Sequence, residues 1–180
     1  MAEFRVETER LVLRDWREED RTALDAIRCD PDMTRWLGDP GLRGGETDII
    51  PLLQERSRRD GHTMWAMEHK ADGKLVGWCG AKVGNDGPAE GHLELGWAVA
   101  PEWQGNGYAT EAARAVLAWI AVNRPGSEVW ATTTPGNARS RAVMKRLGMR
   151  ACPELEFDRP EMPVDHPLRR HIPYRLEVVQ

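Results

Sequence analysis

The chain has 180 residues, 41% hydrophobic and 30% charged, which is the composition of an ordinary globular domain and excludes a disordered or fibrous chain. Its formal net charge of −4 argues against nucleic acid as a partner, because such a partner calls for a basic face. No apolar run reaches the roughly 20 residues of a membrane helix, no basic-then-apolar leader follows Met1-Ala2-Glu3, and the 3 cysteines (Cys29, Cys79, Cys152) are too far apart for a C-x-x-C pair; a cytoplasmic protein with reduced thiols and no membrane association is expected.

In chain order, residues 8–16 predict a short strand with Leu11 and Leu13 on one face. A helix is predicted over 18–29, ending near Pro31. Residues 30–45, rich in Pro, Gly and Asp, read as a loop or short turns, and a second helix over 46–59 is stopped by Gly61. Strands over 63–69 and 74–83 are joined through Ala71-Asp72-Gly73. Residues 85–91 form another turn. The strand over 92–100 alternates, with Leu93, Leu95, Trp97 and Val99 on one face and His92, Glu94, Gly96 and Ala98 on the other; Pro101 closes it.

The strongest helix runs over 107–123, where Ala109, Ala112, Ala113, Val116, Leu117, Ile120 and Ala121 form one stripe. A strand over 129–134 and a helix over 137–147 follow, with Asn137 as N-cap and Gly148 as stop. Closing strands are expected over 151–157 and 174–179, separated by a stretch containing Pro160, Pro163, Pro167 and Pro173. The order predicts an α/β (α+β) fold on a mixed sheet, in one domain spanning 1–180. The 8 Trp against 2 Phe and 2 Tyr are mostly core residues or pocket walls.

Chemistry concentrates in residues 97–112. A strand ends, the turn Gln104-Gly105-Asn106-Gly107-Tyr108-Ala109 follows, and the strong helix begins at once. Glycines let the backbone approach an anion, and the helix start presents unpaired N–H groups and its positive dipole end to the same point. The turn holds no Lys, so backbone amides carry the anion. A P-loop is excluded, since no G-x-x-x-x-G-K-[ST] occurs. A dinucleotide fingerprint is a near miss, with Thr110 at its third small position and Glu128 at the wrong end of the next strand. A tight strand–helix turn without a ligand is the plain alternative.

Gln104-x-x-Gly107-x-Ala109 resembles the Q/R-x-x-G-x-G/A signature of the GNAT acetyltransferases. The run from Glu94 to Ala112 is similar to their RimJ/RimL-like branch, as are Asn137-x-x-Ser140, Arg146-Leu-Gly-Met149, the opening Glu9-Arg10-Leu11-Val12-Leu13-Arg14 and Pro167 to Tyr174. The resemblance implies the GNAT fold, a twisted mixed central sheet flanked by helices, and acetyl transfer from acetyl-CoA to a primary amine, with no metal. It places the coenzyme A pyrophosphate on the amides of Gln104, Gly105, Asn106, Gly107, Tyr108 and Ala109, and the pantetheine arm along Trp97, Ala98 and Val99. An amide near Val99 would meet the developing oxyanion. Asn137 is implied to touch coenzyme A, in addition to its capping role, and Ser140 to bind it near the sulfur.

Direct attack by a neutral amine needs a base, directly or through water. Glu94 is the first candidate, because its small neighbours Gly96 and Ala98 leave room for a ligand; the competing reading is an exposed strand carboxylate. Glu111, in the first helical turn, is accounted for by the dipole. The family's usual Tyr acid is absent, which leaves Ser140 or water to protonate the thiolate. Trp16, Trp36, His166 and His171 are weaker candidates for the acceptor pocket, against the plain reading of packing. The acceptor is expected to be a protein N-terminal α-amine or a small-molecule amine such as an antibiotic. A non-catalytic acyl-CoA-binding module is the rival from another class, and a homodimer is expected by analogy.

Overall fold

The computed structural model describes residues 4–38 and 48–176. Thr8 turns the chain between β1 (Arg5–Glu7) and β2 (Leu11–Arg14), its hydroxyl accepting from the Leu11 N–H at 2.9 Å. The strand predicted over 8–16 is therefore shorter, and β1 before it carried no sequence signal. A 3₁₀ turn over Glu18–Asp20 leads into α1 (Arg21–Cys29). The loop predicted over 30–45 is helical at its start, as α2 (Pro31–Leu37), because Asp30 caps it through the Asp32 N–H at 2.8 Å and Pro31 occupies the first turn, where a missing N–H costs nothing. Residues 39–47 lie outside the described residues; they include the rest of that loop and the predicted start of the second helix. The observed helix, α3 (Ile50–Asp60), ends at Gly61 with φ 73°, as the glycine foretold.

There follow β3 (Met64–His69), β4 (Leu75–Val83), β5 (Leu93–Val99), α4 (Tyr108–Asn123), β6 (Val129–Thr133), α5 (Ala138–Arg146), β7 (Arg150–Ala151), β8 (Phe157–Asp158) and β9 (Arg170–Leu176). The strand predicted over 151–157 is broken into β7 and β8 by a 3₁₀ turn at Pro153–Leu155, since Pro153 has no N–H for a ladder. Strand β9 begins earlier than predicted and includes Pro173, whose carbonyl accepts from the Cys152 N–H at 2.9 Å; residues 177–179 lie outside the described residues. The nine strands run in the order β1-β2-β3-β4-β5-β6-β9-β7, with β8 on β9. The β5–β6 pair is parallel, while β1–β2, β2–β3, β3–β4, β6–β9, β7–β9 and β8–β9 are antiparallel. The sheet is mixed, as predicted.

The chain divides into two compact units, Met1–Ala81 with Gly96–Val116, and Lys82–Leu95 with Leu117–Gln180. In the first, Trp16, Leu24, Ile50, Leu53 and Ala66 form a core that buries α1 and α3 against β3, each large side chain contributing about 1.5–3 kcal/mol. The Trp16 indole donates to the Met64 carbonyl at 2.6 Å, so it is a core residue and not a pocket wall. A second cluster, Ile27, Met33, Ala98 and Ala100, seats α1 and α2 on the end of β5. Arg14, only 4% exposed, pairs with Asp20 at 2.7 Å and with Glu68 at 2.7 Å. In the second unit, Ala89, Trp130 and Cys152 pack together under β6, and β9 lies along β6 from Thr133↔Ile172 to Val129↔Leu176.

Candidate functional site

In the first unit, the end of β5 is followed by a 3₁₀ turn at Pro101–Trp103 and then by Gly105 and Gly107, at φ 82° and 83°. Both glycines are in the left-handed region that other residues enter only with strain, which explains why the turn needs them. Nothing lies within 4 Å of where a Gly105 Cβ would stand, and only the Arg10 guanidinium, at 3.7 Å, approaches that of Gly107. Backbone bonding resumes at Thr110 and Glu111, whose N–H groups donate to the Gly107 carbonyl at 3.0 and 3.1 Å. Among the described residues the amides of Gly105 to Ala109 meet no backbone acceptor, as expected ahead of and within the first turn of a helix. An open, glycine-lined run of amides ahead of a 16-residue helix presents N–H donors of the kind a phosphate accepts from.

The polar side chains of the turn brace it. Gln104 Nε2 donates to the Val99 carbonyl at 3.0 Å and sits 3.7 Å from Met33 Sδ, tying the turn to the strand end. Asn106 Nδ2 donates to the Trp103 carbonyl at 3.0 Å. Tyr108 is buried, with the Arg10 guanidinium 4.6 Å from its ring centre. Sequence reasoning found no cation for this turn; the structure brings one from 97 residues upstream of Gly107, since Arg10 is anchored by Glu111 at 2.6 Å. Glu111 also accepts from the Thr8 hydroxyl at 2.6 Å and the Arg10 N–H at 2.9 Å. Burial pushes its carboxyl up, but these donors outweigh burial and hold it below the usual carboxylate range. Its place in the first helical turn is thus only part of its role. Ala98 is buried in the cluster with Ile27 and Met33, while Trp97 and Val99 are half-buried.

In the second unit, Glu94 is 6% exposed, which overturns its reading as an exposed strand carboxylate. One oxygen accepts from the Thr132 hydroxyl at 2.8 Å and the other is paired with Lys82 Nζ at 2.8 Å. Burial raises its pKa, but the charge and hydrogen bond of Lys82, with the Thr132 hydroxyl, prevail and hold it low. Asp86 pairs with Arg159 at 3.0 Å; burial pushes Asp86 up, opposed by Arg159 and reinforced by Glu94. Asn137 caps α5, its Oδ1 accepting from the Ser140 N–H at 3.1 Å, and Ser140 is half-buried. His166 Nδ1 accepts from the Leu168 N–H at 3.1 Å and His171 Nδ1 lies 3.2 Å from the Arg169 carbonyl, so both are occupied in local structure. The structure therefore groups Trp97 to Val99 with Gln104 to Ala109 in one unit, and Glu94 with Asn137 and Ser140 in the other. Lys82 and Arg10, which sequence reasoning missed, had no local signal; each is identified only by a partner distant in the chain. Among the described residues no group of three or more His, Cys, Asp or Glu has the arrangement of a metal site, and no helix is long and apolar enough to cross a membrane.

Residues 10–150 match the Acetyltransferase (GNAT) domain. Over 149 residues the chain is 29% identical to the uncharacterized protein YkkB of Bacillus subtilis strain 168, spanning 82% of this chain and 86% of that protein. An acetyltransferase from Agrobacterium tumefaciens strain C58 superposes with a TM-score of 0.75 at 25% identity, over 99% of this chain and 96% of that one. Mycobacterium smegmatis RimJ in complex with CoA-disulfide has the same fold, with a TM-score of 0.68 at 22% identity over 92% and 81% of the two chains. With a matching domain across most of its length and two left-handed glycines ahead of α4, the chain belongs to the GNAT family and is an acetyltransferase, RimJ-like in fold.

Proposed function

We propose that this enzyme transfers an acetyl group from acetyl-CoA to a primary amine, either a protein N-terminal α-amine or a small-molecule amine. The observation that carries the reading is the run of amides from Gly105 to Ala109, opened by two left-handed glycines and flanked by Arg10. These residues fit a pyrophosphate: the glycines leave space, the amides supply donors and the guanidinium supplies charge. Acetyl-CoA, when bound, supplies an activated thioester. The chain's part is to bind, orient and manage protons. Gly105 to Ala109 hold the phosphates, and Gln104 keeps the turn docked to the strand end whose residues Trp97, Ala98 and Val99 line the pantetheine arm. Both units belong, on this reading, to one GNAT domain.

Glu94, kept ionised by Lys82 and Thr132, draws the cationic amine and accepts its proton directly or through water; a positioned base of this kind is worth about 10²–10⁴-fold. Asn137 Oδ1 is taken by its cap, so its amide N–H₂ is what remains for coenzyme A, and the Ser140 hydroxyl is the proton donor to the departing thiolate. Calorimetric titration with acetyl-CoA, with NADH as control, tests the cofactor: binding of acetyl-CoA alone is expected, and no binding by folded protein overturns the reading. Glu94→Gln then separates catalyst from acyl-CoA sensor, because a catalyst loses turnover and keeps coenzyme binding. A panel of peptides and small amines decides the acceptor.

A further inference from the structure

Glu94 lies in a charged cluster within the second unit. Its side chain is 8% exposed, and the Lys82 ammonium beside it is 28% exposed. Lys82 Nζ also donates to Asn85 Oδ1 at 3.1 Å, which anchors the ammonium from its other side. Asp86, from the turn after β4, and Arg159, from the proline-rich segment, also act on the cluster, joined to each other at 3.0 Å with side chains 16% and 12% exposed, and the exposed Glu161 adds negative charge toward Asp86. Thr132 of β6 supplies an uncharged donor. Lys82 and Arg159 thus offset the enclosed Glu94 and Asp86, and removing Lys82 leaves two buried carboxylates facing a single cation. In so dry a setting the excess negative charge is relieved by taking up a proton, and Glu94, stripped of its nearest partner, is where the proton goes.

We propose that Lys82 is a positioning residue for acyl transfer: its ammonium group, clamped between Asn85 and Glu94, keeps the Glu94 carboxylate deprotonated and oriented to receive the acceptor's proton. The proposal rests on the reading of Glu94 as the base. The test is a ¹³C NMR titration of protein carrying carboxyl-labelled glutamate, with Glu94→Gln assigning the resonance, alongside the ratio of kcat/KM at the midpoint of the Lys82→Met variant's Glu94 titration to that at pH 8 with one amine acceptor. In Lys82→Met the Glu94 resonance is expected to titrate higher by roughly one unit or more, the effect of an opposite charge at this distance, while Lys82→Arg stays with the parent protein. The activity ratio of Lys82→Met is expected to fall about twofold further than that of the parent, because at that midpoint half of the variant's Glu94 is protonated while the parent's is ionised, the acceptor's own ionisation being common to both. An unmoved Glu94 resonance overturns the proposal. A moved resonance with an unmoved ratio supports Lys82's hold on Glu94 and overturns Glu94 as base. If Lys82→Met does not fold, the parent protein decides: a Glu94 titration at or above the ordinary glutamate value of about 4.3 overturns the proposal.

Discussion

Glu111 holds Arg10 twice, accepting from its backbone N–H at 2.9 Å through one oxygen and pairing with its guanidinium at 2.6 Å through the other. The carboxylate also takes the Thr8 hydroxyl, so a single residue of α4 closes the β1–β2 turn and holds Arg10 beside Gly107 and Tyr108. Glu111→Ala leaves the Arg10 N–H without its acceptor, leaves the Thr8 hydroxyl only the Leu11 carbonyl at 3.2 Å, and frees the guanidinium. A loss of about 2–3 kcal/mol is expected in denaturant unfolding, together with weaker acetyl-CoA binding by calorimetry. A variant with unchanged stability would show that the clamp is ornamental.

Gly107 sits at φ 83°, where a side chain costs about 1–2 kcal/mol and a β-branched one more. The space around it is open except for Arg10, so the penalty is conformational and falls on the glycine turn itself. Gly107→Val is expected to weaken acetyl-CoA at least about tenfold, a change of 1.4 kcal/mol, with a fall in melting temperature of several degrees, about 2–4 °C for each kcal/mol of strain. Titration of the two proteins side by side decides it.

Arg14 is 4% exposed and pairs with Asp20 and Glu68. Arg14→Met takes from Asp20, itself 7% exposed, its buried cation and both of that guanidinium's hydrogen bonds, and a loss of about 3–5 kcal/mol is expected. Arg14→Lys is not expected to recover it, because the guanidinium donates through Nη1 and Nη2 to both Asp20 oxygens and through Nε to Glu68, a fork an ammonium lacks. Unfolding curves of both variants check this.

Three carboxylates, Asp20, Glu94 and Glu111, are held below their usual range although burial pushes each the other way; Arg14, Lys82 and the Thr8 hydroxyl lead the opposing partners. A carboxylate with a lowered folded pKa binds fewer protons folded than unfolded, so its stabilisation is complete above the unfolded value of about 4 and is lost as pH falls through the lower folded value. Melting temperature is expected to change little between pH 7 and 5 on their account and to drop steeply below about pH 4. A flat profile to pH 3 would contradict the burial and pairing of these groups.

Periodicity and turn chemistry alone marked the strand ending at Val99, the glycine turn, α4, and the Asn137 cap with its stop at Gly148. These features are legible because their causes are local: a left-handed φ calls for glycine, an apolar stripe calls for a helix, and an orphan N–H calls for a cap. The split of the predicted strand at Pro153 and the helix begun by Pro31 were local as well, and were missed because proline both stops and starts elements. The burial of Glu94 was beyond any local rule. Alternation placed it on the face of Gly96 and Ala98, but only the pairing of β5 with β6, Glu94 opposite Trp130, and the arrival of Lys82 and Thr132 turned an ordinary strand glutamate into an enclosed ion pair. Arg10 and Glu111, 101 residues apart, tell the same story. An ion pair is a statement about distance in space, and the charge pattern of a chain carries no record of which distant residues the sheet will bring together.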